Sequence, residues 1–173
     1  MSETTMPGPA AEPRLRPPRH PSDPRAVGWW RTQALLIAVP AAAVPAVGGW
    51  LLPGAWGTWA LAAAAVLAVL GAVYAAVMPV WRHRVHRWEV TDEAVYTATG
   101  WLWQEWRIAP MSRVQTVDTV RGPVQRRFGL SSVTVTTASA AGAVRIDGLD
   151  HALARELVRR LTETAQAAPG DAT

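Results

Sequence analysis

From Thr32 to Trp81 the chain runs for about fifty residues without one Asp, Glu, Lys, Arg or His. A hydrocarbon core of about 30 Å takes ~20 helical residues at about 1.5 Å each, so the block is long enough for two crossings and a reversal. The first predicted span is TQALLIAVPAAAVPAVGGWLL, about Thr32 to Leu52, and the second is TWALAAAAVLAVLGAVYAAVMPV, about Thr58 to Val80. Between them PGAWG, Pro53 to Gly57, supplies the residues of a tight turn. A soluble fold of this size has too little other sequence to bury two such helices. A cleavable leader does not fit either, because a polar stretch precedes the block and a second span follows at once.

Beyond about Arg84 the period changes. VHRWEV and AVYTATG are short β-rich runs on either side of TDEA, which reads as a hairpin. WLWQEWRIAP predicts a third strand with Leu102, Trp106 and Ile108 on one face and Trp101 and Trp103 on the other. RVQTVDTV predicts a fourth, with Val114 and Val120 on one face and Val117 on the other. SSVTVTTA predicts a fifth, with Val133 and Val135 inward and its serines and threonines outward, and AVRI a sixth after the turn SAAG. Asp147-Gly148-Leu149-Asp150 then leads into the helix HALARELVRRLTETAQ, with Asp150 as N-cap. Leu149, Leu153, Leu157 and Leu161, with Val158, form its core-facing stripe. The fold class is therefore a two-helix transmembrane hairpin, residues 29–82, followed by an α+β domain, residues 84–167. Before it, residues 1–28 hold many prolines and no apolar period and are expected to be a disordered Pro/Arg-rich tail, and residues 168–173 a disordered C-terminus.

Charge sets an orientation. All the basic residues other than histidine are arginines; five precede the first span, three directly follow the second, and none lies in the turn between. Arginine favours the inner side, which puts both termini in the cytoplasm of a multi-pass cell-membrane protein. The net charge of +4 is thus explained by topology, and nucleic acid is not an expected partner. Tryptophan agrees: Trp29, Trp30 and Trp81 fall at the inner boundary, Trp50, Trp56 and Trp59 at the outer one. With no cysteine there is no disulfide framework and no thiolate chemistry.

The most distinctive stretch is AP-MSRVQTVDTV-RGPVQRRFGLSSVTVTTA, followed by a short strand, DGLD and the leucine-rich helix. Its elements Pro110, Arg113, Gln115, Gly122, Pro123, Arg126, Phe128, Gly129, Leu130 and Thr137 resemble the bacterial pleckstrin-homology-like (PH-like) membrane proteins. The small, two-span YdbS-like members are the nearest in layout, and the resemblance covers about residues 29–167. It implies a curved antiparallel sheet or barrel closed by the C-terminal helix. It further implies a larger membrane protein with PH-like domains as partner, and no particular chemistry.

Two roles suit the arginine-rich stretch. Phe128, the one phenylalanine, is expected to fill the end of the barrel, with Gly129 in a conformation other residues resist and Pro110, Gly122 and Pro123 shaping the corner. Arg113, Arg121, Arg126 and Arg127 could alternatively meet anionic lipid headgroups or an acidic partner. A phosphoinositide site of the kind carried by the first hairpin of PH domains is disfavoured by Asp92 and Glu93 there. His83 and His86 lie among arginines and read as interfacial residues rather than metal ligands; no catalytic grouping, metal site or cofactor site is expected. Gly48, Gly49 and Gly71 offer close helix packing, within the hairpin or between copies in a homo-oligomer. The functional expectation is a scaffold or assembly subunit serving envelope homeostasis or export, or alternatively a sensor of anionic lipid.

Overall fold

In the computed structural model, residues 18–138 and 142–167 are described. The uncharged block folds into α1, Arg25–Leu51, and α2, Gly54–Val85, both long and apolar enough to cross a membrane. They pack antiparallel through small residues. A Cβ at Gly71 would fall 2.6 Å from the Ala38 Cβ, and one at Gly49 would fall 2.9 Å from the Gly57 carbonyl, so only glycine allows this approach. Gly48, by contrast, faces open space.

Two antiparallel sheets follow. One has the order β1 (His20–Pro21), β2 (Arg87–Val90), β3 (Ala94–Gly100) and β4 (Gln104–Pro110). The other has β5 (Val114–Val120), β6 (Leu130–Thr137) and β7 (Val144–Asp150). A short 3-10 turn, Met111–Arg113, joins β4 to β5, and a one-turn helix α3, Pro123–Arg127, joins β5 to β6. The C-terminal helix α4, His151–Ala167, packs on β5, β6 and β7, and Val95, Val133, Ile146, Leu149, Ala154 and Leu161 are buried in one core shared by the helix and the two sheets. The expected hairpin at TDEA is present, with Val90 paired to Val95 and the Thr91 N–H donating to the Ala94 carbonyl.

Several local readings need correction. Residues 18–28, assigned to a disordered tail, are ordered: His20 and Pro21 pair with Trp88 and Arg87, and α1 already starts at Arg25. The reason is tertiary, because the edge of β2 and the end of β7 supply the bonds this proline-rich stretch cannot make with itself. Residues 1–17 and 168–173, also assigned to disorder, lie outside the described residues, as does most of the SAAG turn.

In β5 the register shifts between Val114 and Thr116, and the extra residue turns Val114 and Val117 toward the core together, while Val120 is exposed. The serines of β6 are expected outward, but Ser131 and Ser132 are both buried: alternation with Val133 already turns Ser131 inward, and a second shift between Ser131 and Val133 brings in Ser132 as well. DGLD continues β7, so Leu149 belongs to the strand and not to the stripe of the helix. On α4 the core position is taken by Ala154, and Leu153 faces solvent. Asp150 does cap the helix, accepting from the Ala152 and Leu153 N–H groups at 2.8 and 3.3 Å.

Candidate functional site

A cluster of charged groups lies where the N-terminal end of α1 and the C-terminal end of α2 meet β7. Asp147, on β7, is the centre of this junction. Its Oδ1 accepts from the Ser132 hydroxyl at 2.6 Å and from Arg145 Nε at 2.7 Å, and its Oδ2 faces Arg82 of α2 at 3.3 Å. Its backbone N–H donates to Nε2 of the buried His86, just past the end of α2. Gln125 of α3 extends the network by donating to the Ser132 oxygen at 2.8 Å. Burial opposes ionisation of Asp147, but the Ser132 hydroxyl and the Arg145 and Arg82 charges outweigh it and hold the carboxyl below the usual range. Burial pushes His86 the other way, down to about 4, with Asp147 opposing and Arg82 reinforcing the shift. His86 is therefore neutral near pH 7. With Nε2 accepting a bond, its proton sits on Nδ1, which is buried without a hydrogen-bond partner among the described residues, and the imidazole meets the Trp30 ring at 71° with centroids 5.8 Å apart.

A second clasp joins α1 to the same strand. Arg25 bonds Asp23 at 2.9 Å and Asp150 at 2.6 Å, and reaches the Phe128 carbonyl. Hydrogen bonds from Arg25 hold both carboxyls below their ordinary values. The Asp23 N–H donates to the Gly148 carbonyl at 2.8 Å. Gly148 adopts φ +70°, and a Cβ there would press on Ala26 at 2.7 Å, so the strand end and α1 approach as closely as glycine permits. Trp30, fully buried, is capped by the Arg82 guanidinium 4.6 Å above its ring.

The structure separates the arginines grouped by sequence. Arg113 is exposed beside the start of β5, at the opposite end of that strand from Arg121, ~20 Å away for a seven-residue strand. Arg121 is partly buried and donates to the Leu130 carbonyl at 3.2 Å, so it braces the corner. Arg126 and Arg127 are exposed on α3. Gly122 and Pro123 start α3, with the Gly122 N–H bonded to Gln125 Oε1, and Pro110 ends β4. Gly129 has φ +69°, the left-handed value expected of it.

Phe128 is corrected. It is half-buried and does not fill a barrel end; it packs with Val124, Leu130 and the α1 residues Ala26, Trp29 and Trp30. Its ring lies against Gly28, where a Cβ would be 2.8 Å from it. Trp29 and Trp30 turn into this cluster instead of outward, whereas Trp50, Trp56, Trp59 and Trp81 are exposed.

The histidines are similarly absorbed by structure. His83 shares a 3.0 Å hydrogen bond with Ser22, His151 one of 2.9 Å with Ser131, and His20 stacks on Trp88. Ser132 donates directly to Asp147. These contacts tie segments together. Arg25, Arg82, His86 and Asp147 carry the junction and were missed as a site. The one signal available was a pair of acids, Asp147 and Asp150, near a β-strand in a sequence whose span flanks are all arginine.

The sequence matches the family described as Bacterial PH domain over residues 34–165. It is 30% identical over 129 residues to the UPF0699 transmembrane protein YdbS of Bacillus subtilis (strain 168), covering 73% of this chain and 81% of that protein. No solved structure matches the chain. With two apolar helices followed by antiparallel sheets and a closing C-terminal helix, this chain belongs to the bacterial PH-domain family of membrane proteins.

Proposed function

We propose that the protein is a non-enzymatic assembly subunit, which holds its PH-like domain at a fixed height and orientation against the membrane for association with a larger membrane protein that itself carries PH-like domains. The observation that carries this reading is the double clasp at the junction. Arg25 with Asp23 and Asp150, and Arg82 and His86 with Asp147, fasten the domain to both helices at once. A sensor that swings toward its ligand would need a loose linker; here α2 passes into β2 with His86 alone between them. A fixed domain suits docking in one register. The arginine flanks of the spans support placing the domain and both termini in the cytoplasm.

The test is purification of the full chain in mild detergent from its native membrane. The expected result is a stoichiometric complex with a larger membrane protein containing PH-like domains; a protein recovered alone at native abundance would count against the proposal. Orientation is read separately, using the absence of native cysteine. Cysteine at Ala55, exposed in the first turn of α2, should react with an impermeant maleimide from outside, and cysteine at Arg159, exposed on α4, should not. Ala55 is preferable to Gly54, whose φ of +66° a cysteine would strain.

One observation favours a second reading, contact with anionic lipid. Arg126 and Arg127 are exposed on α3, the element that packs through Val124 and Phe128 against the first turns of α1. That position supports a headgroup contact, which vesicle-binding measurements at two salt concentrations would reveal.

A further inference from the structure

The turn between β3 and β4 is built from Trp101, Leu102 and Trp103, an unusual composition for a loop of a water-facing domain. Gly100 pairs with Gln104 across it, and φ of +117° at Gly100 closes the reversal, so the three apolar residues form its tip. Leu102 is 68% and Trp103 83% exposed, while Trp101 turns its ring edge-on to Tyr74 of α2, with centroids 5.8 Å apart. The hairpin therefore runs back along α2, toward the span.

Its depth follows from two rulers. The uncharged run of α1 from Thr32 to Leu51 is about 20 residues, which at ~1.5 Å each equals the ~30 Å hydrocarbon thickness, so its inner limit lies at Arg31. Arg31 Nε donates to the Ala75 carbonyl at 3.3 Å, which brings the α1 limit beside Tyr74, while the uncharged run of α2 continues to Trp81, about 10 Å further, so Tyr74 lies near the first limit and on the apolar side of the second. Trp101 thus stands at the boundary between acyl chains and headgroups. Directly behind the tip the chemistry turns polar: Glu105 pairs with Arg107 at 2.7 Å, and both share an open basin of ~470 Å³ with Arg82, Arg145 and Asp147.

We infer that the β3–β4 tip is an interfacial membrane anchor, with Leu102 and Trp103 seated in the leaflet on the domain's side of the bilayer. Indole side chains prefer this boundary and leucine the acyl region just beneath it, and three such residues in a row beside a span are not scattered surface apolarity. The anchor acts as a third attachment point for the domain, separate from the two clasps.

The experiment uses the full chain with single cysteines at Trp103, at Leu102, at Val77 on α2 and at Arg159 on α4. Each is labelled with an environment-sensitive fluorophore and reconstituted into phosphatidylcholine–phosphatidylglycerol vesicles containing lipids with a nitroxide high on the acyl chain. Labels at positions 102 and 103 should be quenched several-fold more than the label at position 159, and to an extent comparable with position 77. Quenching at 77 but not at 102 and 103 overturns the anchor. No quenching at 77 would overturn the membrane seating on which the inference rests. Quenching or shielding at 102 and 103 that disappears as protein is diluted into more lipid would assign the tip to a second copy of the chain, which also overturns it.

Discussion

The Asp147 N–H donates to His86 Nε2 at 3.2 Å, while the Asp147 carboxylate, within the same residue, holds Arg82 at 3.3 Å. One strand residue thus reads both the last turn of α2 and the residue that ends it. The neutral form of His86 is required, since a proton on Nε2 would face the amide hydrogen.

Stability should consequently fall on mild acidification. Unfolded His86 takes up its proton near pH 6.5, whereas in the folded protein burial lowers this to about 4. Between those values the unfolded chain binds more protons, so stability rises with pH across the window and is lost as pH drops from about 6.5 toward 4. A separation of this size corresponds to ~3 kcal/mol. Thermal unfolding in detergent at pH 7 and pH 4.5 measures it; a His86→Gln variant should show a flatter profile, and an unchanged profile would dismiss His86 as the titrating group.

Asp147→Asn keeps the size but removes the charge shared by Arg82 and Arg145. Losing one member of a buried pair costs about 3–5 kcal/mol, and the partial exposure of both arginines brings the expectation down to ~2–3 kcal/mol. Arg145→Gln, at a side chain half exposed, should cost under about 1 kcal/mol. Equal effects of the two substitutions in denaturant or thermal melts would contradict the central place given to the carboxylate.

Phe128 and Gly28 should be energetically coupled. Phe128→Ala is expected to cost about 2 kcal/mol, below the usual ~3–5 for a fully buried phenylalanine because the ring is half-buried. Gly28→Val should cost about 1–3 kcal/mol by forcing the ring away from α1. In the double variant the valine meets empty space, so the combined loss should be smaller than the sum by at least ~0.5 kcal/mol. Simple additivity would mean that the two do not touch.

The arginines of the corner should divide by role. Arg121→Gln loses the bond to the Leu130 carbonyl and should destabilise by about 1 kcal/mol. Arg126→Gln with Arg127→Gln should leave melting within ~0.5 kcal/mol, yet weaken binding to anionic vesicles or a co-purified partner by ~1 kcal/mol per residue, less at high salt. Unchanged binding at low salt would leave α3 a packing element only.

What the sequence determined by itself were the features that depend on near neighbours. Fifty uncharged residues with arginine on both sides can satisfy their backbone in lipid only as helices, and the two spans were legible for that reason. Strand periods, the TDEA hairpin, the Asp150 cap and the left-handed Gly129 are local in the same way. The tertiary structure decided everything set by separation along the chain. Asp147 gains its meaning from Arg82 and His86, more than sixty residues earlier, and Phe128 from Gly28, one hundred residues earlier. Bulges in β5 and β6 moved Val117 and Ser132 inward, because one inserted residue reverses every later side chain in a strand. Residues 18–28 look disordered on composition since no local bond is available to them; they are ordered because β2 and β7 present unpaired backbone at the place where α1 begins.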